Sequence, residues 1–320
     1  MSARQTSERA ASVPASAEWA RQPERSNMAM LRLMAWLSLR LGRPAGRVVL
    51  HLIAAYFFLF APSARRASRA YLPRALGRPA RIGDGYRQVF SFAATIHDRV
   101  YLLKDRFDLF DIRIEGEALI RDQIASGEGA LLFGAHVGSF EVIRAIGRTQ
   151  PGLKVALAMF EDNARRINSL LAALNPSASP EVIALGKLDA MLRIHARIED
   201  GALVGVLADR SLGDELRRPV KLLGTAADLP VGPFRMAAML GARIIFMAGL
   251  YHGGNRYTIR FEPIADFSEV GRHEREAAID AAMQAYAAAL ERCCHDAPSN
   301  WFNFFDFWND FGPTGSAQSR

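Results

Sequence analysis

Apolar positions follow two different patterns along the chain. From about residue 85 onward, short near-continuous apolar runs alternate with stretches whose apolar residues recur three and four apart. The runs ALLFGA (130–135), LKVALAMF (153–160), EVIALG (181–186), ALVGVLAD (202–209), ARIIFMAGLYH (242–252) and RYTIRFEPI (256–264) read as strands. Helical spacing covers 86–107, 118–129, 139–150, 164–175, 187–201, 232–240 and 273–294. RPVKLLGTAADLPVG (218–232) reads as strand and loop. Buried strands that alternate with amphipathic helices predict an α/β fold with a mainly parallel central sheet covered by helices on both faces.

The first 82 residues differ. Residues 1–27 are rich in Ala, Ser, Arg, Glu and Pro and show no apolar period, so a disordered tail is expected there. Residues 28–62 hold two apolar stretches separated by Gly42, Pro44 and Gly46 and closed by Pro62. The 17 residues between Pro44 and Pro62 would make about 26 Å of helix, short of a hydrocarbon core of about 30 Å. An interfacial or membrane-dipping pair of helices is therefore expected. Arg65, Arg66, Arg69, Arg74, Arg78 and Arg81 follow at once, a basic flank suited to anionic lipid on the cytoplasmic side. The expected organisation is a tail at 1–27, a membrane-associating helical segment at 28–82, a catalytic domain at 83–311 and a flexible tail at 312–320.

Charge sharpens this picture. The 320-residue chain carries a formal charge of +7, and of its 40 basic residues only Lys104, Lys154, Lys187 and Lys221 are lysine. Half of the residues are hydrophobic, which excludes a mainly disordered chain. The two cysteines, Cys293 and Cys294, are adjacent, so reduced thiols are expected and no zinc-ligand spacing exists. An arginine excess favours anionic partners. No helix-turn-helix, RNA-recognition or zinc-finger signature is present, so nucleic acid is not expected among them.

Candidate chemistry concentrates at ALLFGAHVGSFEVIRA (130–145). His136 follows a buried strand at its carboxyl end, where open α/β sheets place their sites. Gly138 and Ser139 then start the next element, with Ser139 a plausible N-cap and Glu141 in its first turn. If His136 lies in the turn, Glu141 can hold one imidazole nitrogen and leave the other as a general base. Backbone N–H groups near the start of the next helix would be available to an oxyanion. No serine sits in a G-x-S-x-G elbow, so a covalent serine mechanism is not expected.

The spacing of His136 and Glu141 resembles the H(x)4(D/E) motif of glycerolipid and lipid A acyltransferases, and G-A-H-V-G-S-F-E resembles the first block of the bacterial lipid A late acyltransferases. The resemblance continues through LADRSLGDE (207–215), VKLLGTAADLPVGPFRMAAMLGARII (220–245) and the aromatic NWFNFFDFW (300–308). Its nearest form is that of the acyltransferases of aryl polyene and xanthomonadin-type gene clusters. The resemblance implies a membrane-associated O-acyltransferase without metal or cofactor, on the cytoplasmic face of the bacterial inner membrane. His136 would deprotonate the acceptor hydroxyl, and Glu141 would orient it. Gly138, Ser139, Asp209, Arg210, Gly224 and Gly232 would contribute to substrate binding. The donor would be an acyl thioester on acyl carrier protein or coenzyme A, and the acceptor a lipid, glycolipid or polyene-type hydroxyl.

One departure stands out. Where the lipid A enzymes carry a Tyr-Arg-Pro type motif, this chain reads Met159, Phe160, Glu161, Asp162, Asn163. That puts lipid A itself in doubt as acceptor, with Arg165 and Arg166 one turn later as replacements for the lost charge. Two other readings stay open: a thioesterase using the same base, and a non-catalytic membrane adaptor. Trp301, Phe304, Phe305 and Trp308 have helical spacing and are expected to fill the core, with Asn300, Asn303 and Asp306 in need of polar partners.

Overall fold

A computed structural model describes residues 28–146, 153–160, 181–186, 189–210, 215–305 and 307–308. Three helices come first: α1 (Met28–Phe60), α2 (Pro62–Leu76) and α3 (Ile82–Leu103). The strands and later helices are β1 (Asp111–Glu115), α4 (Glu117–Ala125), β2 (Ala130–Gly134), β3 (Val155–Phe160), β4 (Glu181–Leu185), α5 (Ala190–Glu199), β5 (Leu203–Leu207), β6 (Arg217–Leu222), β7 (Thr225–Pro230), α6 (Gly232–Leu240), β8 (Arg243–Tyr251), β9 (Arg256–Asp266) and α7 (Arg275–Asp296). Short 3-10 turns occupy Phe107–Leu109 and Phe140–Ala145.

Seven strands form one sheet in the order β1-β9-β8-β2-β5-β3-β4. The pairs β8–β2, β2–β5, β5–β3 and β3–β4 are parallel, as the apolar runs predicted. β8 and β9 form an antiparallel hairpin, and β1 then pairs parallel to β9. β1 was not expected. Its sequence, DIRIE, alternates polar and apolar residues and forms an edge strand with only one half-covered face.

Because side chains alternate across a strand, β2 feeds two cores. Leu131 and Phe133 face Tyr71 and Leu72 of α2, Ile194 of α5, Phe234 of α6, and Tyr286 and Leu290 of α7. Ala130 and Leu132 face Leu50 of α1, Ala94 and Leu102 of α3, Ile120 of α4, and Val142 and Ile143. The arrangement has three layers, helices on either side of a sheet. The N-terminal helices belong to it, since α2 lies in one core and α1 and α3 in the other.

Several local expectations change. The helix expected at 139–150 opens with a 3-10 turn at Phe140–Ala145, and Ile146 is helical. RPVKLLGTAADLPVG is a second two-stranded sheet, β6–β7, turning through Leu223 and Gly224, both at positive φ (51° and 80°). The aromatic 301–305 stretch is not helical; of the four aromatics expected in the core Trp301 is buried, Phe304, Phe305 and Trp308 are only half-buried, and Asp306 lies outside the described residues. Its spacing mimicked a helix because extended chain pinned on both sides also buries closely spaced aromatics. The helix expected at 164–175 lies outside the described residues. Cys293 and Cys294 are free and buried, and burial pushes the Cys293 thiol up to about 12.

In α1 the helix bends at Gly42 (φ 77°, ψ 166°). Pro44 follows in the first turn of the second limb, where its missing N–H removes no helical hydrogen bond. The apolar limb is therefore longer than Pro44 implied: Gly42–Phe60, 19 residues, of mean hydropathy 1.3 and 17% buried. Among the described residues it is the one helix long and apolar enough to cross a membrane.

The basic flank divides. Arg65 bonds the Phe58 and Leu59 carbonyls at the end of α1, Arg74 lies over the Trp308 ring, and Arg78 pairs with Asp84 at 2.8 Å. Arg66, Arg69 and Arg81 are exposed. Asp84 also accepts the Arg81 backbone N–H at 2.8 Å, closing the start of α3. The Arg78 hydrogen bond, then that N–H, hold the Asp84 carboxyl at about 2. A folded value below the usual 3.8 means stability present above that pH and lost as pH falls toward about 2. Asp84→Ala is expected to cost about 1 kcal/mol at neutral pH, the size of a lost cap. Chemical denaturation at pH 7 and pH 2.5 checks this, with the difference between variants shrinking at the lower pH.

Candidate active site

The site begins with a register match. β2 and β5 run parallel, and Gly134 lies opposite Leu207. Two residues beyond each strand come His136 and Asp209, so the same offset from paired residues brings them together at the carboxyl edge of the sheet. His136 Nδ1 donates to Asp209 Oδ1 at 2.7 Å, and the His136 backbone N–H donates to Asp209 Oδ2 at 3.1 Å. Asp209 is fully buried, while the His136 side chain is 29% exposed.

Burial alone would raise the Asp209 carboxyl. The neighbouring His136 imidazole, its hydrogen bond and the Arg210 charge outweigh that and hold it well below the usual carboxylate range. An ionised carboxylate only accepts, so Nδ1 carries the hydrogen and a neutral ring keeps its lone pair on Nε2.

Glu141 stands elsewhere. Its Oε1 lies 2.6 Å from Arg99 Nε of α3, and its Oε2 accepts from Ser139 Oγ at 3.0 Å. The expected His136–Glu141 contact is not formed. The 3-10 turn after Ser139 aims Glu141 at α3, and the imidazole nitrogen it was to hold is taken by Asp209. Ser139 occupies the N-cap position, but its hydroxyl goes to Glu141 instead of capping the turn.

The loop 136–139 is tied by its backbone. Gly138 N–H donates to Asn300 O at 2.9 Å, Ser139 N–H to Gly249 O at 2.8 Å and Val137 N–H to Ala135 O at 2.7 Å. The N–H groups of Val137, Gly138 and Ser139 are thus engaged within the protein. Glycine at 138 follows from packing: φ is +61°, and a Cβ there would stand 1.9 Å from Gly249 O. Gly249 is glycine for want of space, since a Cβ there would meet Ser139 O at 2.1 Å.

The other expected site residues scatter. Arg210 Nε donates to Asn303 Oδ1 at 2.6 Å and its Nη2 to Phe302 O at 3.1 Å, so it joins this site through the C-terminal segment. Gly224 sits in the β6–β7 turn and Gly232 at the start of α6; neither is brought to His136 by the described contacts. Arg165 and Arg166, with Glu161 and Asp162, lie outside the described residues.

What residue order did not reveal is the closing segment 300–303. Asn300 pairs both ways with the Tyr251 backbone, through Oδ1 at 2.7 Å and Nδ2 at 2.9 Å. Trp301 bridges Val137, and Phe302 N–H donates to His136 O at 2.8 Å. Trp301 Nε1 and Asn303 Nδ2 donate to Asp209 Oδ2 at 3.1 and 3.2 Å. The available signal was two asparagines among aromatics, polar groups that demand partners once buried.

Among the described residues no cluster of metal-ligating side chains occurs. The arrangement suits proton transfer: an imidazole oriented by a buried carboxylate, exposed enough to meet a substrate. The sequence profile described as bacterial lipid A biosynthesis acyltransferase matches residues 26–309, most of the chain. Among curated proteins, none matches it.

Proposed function

The chain belongs to the bacterial lipid A biosynthesis acyltransferase family and is an acyltransferase, and from that premise we propose that it moves an acyl group from an acyl thioester to a lipid-borne hydroxyl, with His136 as general base. The observation that carries the reading is the 2.7 Å hydrogen bond from His136 Nδ1 to buried Asp209. It puts the hydrogen on Nδ1 and leaves the lone pair on Nε2, the ring nitrogen turned away from Asp209. Nε2 takes the proton of the acceptor hydroxyl as its oxygen attacks the thioester carbonyl. The tetrahedral intermediate collapses with loss of the thiolate, which recovers that proton from the imidazolium. An ester and a free thiol result, and His136 returns to its starting state. Asp209 remains ionised throughout and stabilises the imidazolium.

The donor is an acyl thioester of acyl carrier protein, whose acidic surface suits a chain of charge +7. The acceptor is a lipid, glycolipid or polyene-type hydroxyl, and Glu161 and Asp162 where the family's arginine is expected argue against lipid A itself. The enzyme works at the cytoplasmic face of the inner membrane. In support of this, α1 turns Val48 (69% exposed), Leu52 (73%) and Phe60 (66%) outward, while its other face rests on α3. Gly46 lies so close that a Cβ there would be 2.3 Å from His97 Nε2. A helix held lengthwise in this way meets lipid with one face.

Purified full-length protein on anionic vesicles, given acyl carrier protein thioester with and without a hydroxylated lipid, tests the reading. Acceptor-dependent ester formation, seen by mass spectrometry, is expected. Fatty acid release at the same rate without acceptor would identify a thioesterase instead.

A further inference from the structure

The segment after α7 does more than fill the core. Asp209 carries four hydrogen bonds, and three of them converge on Oδ2: from the His136 backbone, Trp301 Nε1 and Asn303 Nδ2. Carboxylate rotation about χ2 is intrinsically broad and two-fold. Oδ1 has a single described partner, the His136 ring. The plane of the carboxylate, and so the direction in which it offers Oδ1 to the imidazole, is set by what grips Oδ2.

Two of those three grips come from residues 301 and 303, nearly a hundred positions from Asp209 in the chain. Both side chains are buried, Trp301 at 1% and Asn303 at 4% exposure. The same strand of chain is fastened to the loop it serves. Asn300 O accepts from Gly138, Phe302 N–H donates to His136 O, and Gln88 Nε2 of α3 donates to Trp301 O at 2.7 Å. Asn303 is fixed in turn, because its Oδ1 accepts from Arg210. That contact decides which way round its amide sits and points Nδ2 at Asp209.

We infer that residues 300–303 form a positioning strap, in which Trp301 and Asn303 lock Asp209 and thereby set the tautomer and angle of the His136 imidazole. This rests on the reading of His136 as general base. Trp301 and Asn303 are positioning residues: they act on the reaction through Asp209. Trp301 also packs against Tyr71, with ring centroids 5.1 Å apart, and Phe307 at 4.7 Å, so packing and positioning must be separated by experiment.

Trp301→Phe keeps an aromatic ring and removes the N–H. It is expected to lower kcat about tenfold with KM within about twofold, the pattern of an interaction made for the transition state. In an Asp209→Asn background the same change should lower kcat by less than about twofold, because there is no carboxylate left to orient. Asn303→Ala should repeat the pattern without disturbing the aromatic packing, and carries the test if Trp301→Phe fails to fold. Nitrogen NMR of the His136 ring supplies a readout independent of turnover. Wild type should show the Nδ1–H tautomer, and both variants a mixture.

Equal losses in the two backgrounds, or an unchanged tautomer in both variants, would overturn the strap. Full transfer activity in His136→Ala would instead remove the general-base reading. In that case the tautomer measurement still decides whether 301 and 303 set the ring.

Discussion

Asp209→Asn is expected to lower kcat for acyl transfer by about a thousandfold or more, close to the loss from His136→Ala, with KM for the thioester little changed. The carboxylate fixes the hydrogen on Nδ1. An amide at 209 can present its N–H₂ to that nitrogen, which forces the hydrogen to Nε2 and leaves no lone pair for the acceptor hydroxyl. Loss of the correct tautomer in a His–Asp pair costs on the order of 10⁴ in kcat where it has been isolated. Glu141→Gln is the control. Its carboxylate belongs to Arg99 and Ser139, so the loss should be about tenfold and act through the loop. Steady-state kinetics of the three variants check this. A larger loss in Glu141→Gln than in Asp209→Asn would return the orienting role to Glu141. The pH dependence has a definite sign. The Asp209 carboxyl is held well below its ordinary value, so its protonation leaves the rate untouched above about pH 4. The stability it contributes is present above that pH and is lost only as pH falls further.

Asp98→Ala is expected to destabilise the protein by about 3–5 kcal/mol, the usual cost of breaking a buried ion pair. Asp98 has no exposed side-chain surface. Arg43 grips it with a two-pronged contact at 2.7 and 2.8 Å, and Tyr257 donates to it at 2.8 Å. Arg43 also reaches Gly254 O at 2.5 Å, beside Arg47 at 3.0 Å. One cluster thus ties the bend of α1 to α3 and to the β8–β9 turn. His97 Nδ1 stands 3.6 Å from Asp98, too long for a hydrogen bond, so the Arg43 fork is the principal restraint. Removing the carboxylate leaves Arg43 without its partner. Thermal unfolding in mild detergent should show a midpoint lower by roughly 10 °C for a chain of this size. Proteolysis between residues 43 and 61 should also rise as α1 lifts from α3. An Arg43→Ala, Asp98→Ala double variant should lose less than the two single losses added together. Strict additivity would show that the pair does not couple α1 to the domain.

Much of the fold was legible in order of residues. Near-continuous apolar runs at 130–134, 203–207 and 243–251 named the central strands because only a sheet covered on both faces buries such runs. The DIRIE strand escaped because five residues with a half-wet face carry too little apolar signal. The hairpin at Leu223–Gly224 escaped because a leucine at positive φ is held by tertiary contacts, among them Glu291 accepting its N–H at 2.6 Å. The 300–308 aromatics read as a helix because periodicity alone does not separate a helical face from a chain clamped between a loop and a sheet. At the site, His136 and Asp209 were both visible as polar residues just past buried strands. Their partnership was not, since nothing in their 73-residue separation announces it.

Local chemistry therefore determined the elements: apolar runs for strands, three-and-four spacing for helices, glycines for tight approach, and a histidine at a strand's carboxyl end. It also supported membership of an acyltransferase family. The carboxylate that meets the histidine was decided by strand order. β2 and β5 are neighbours in parallel register, and a two-residue overhang from Gly134 and Leu207 puts His136 on Asp209. Glu141, five residues from the histidine, is turned away to Arg99 by the 3-10 path of its own backbone. Nearness in sequence constrains only what the local backbone allows, whereas a parallel sheet aligns equal offsets from distant strands. Which carboxylate serves the base is thus a property of the sheet.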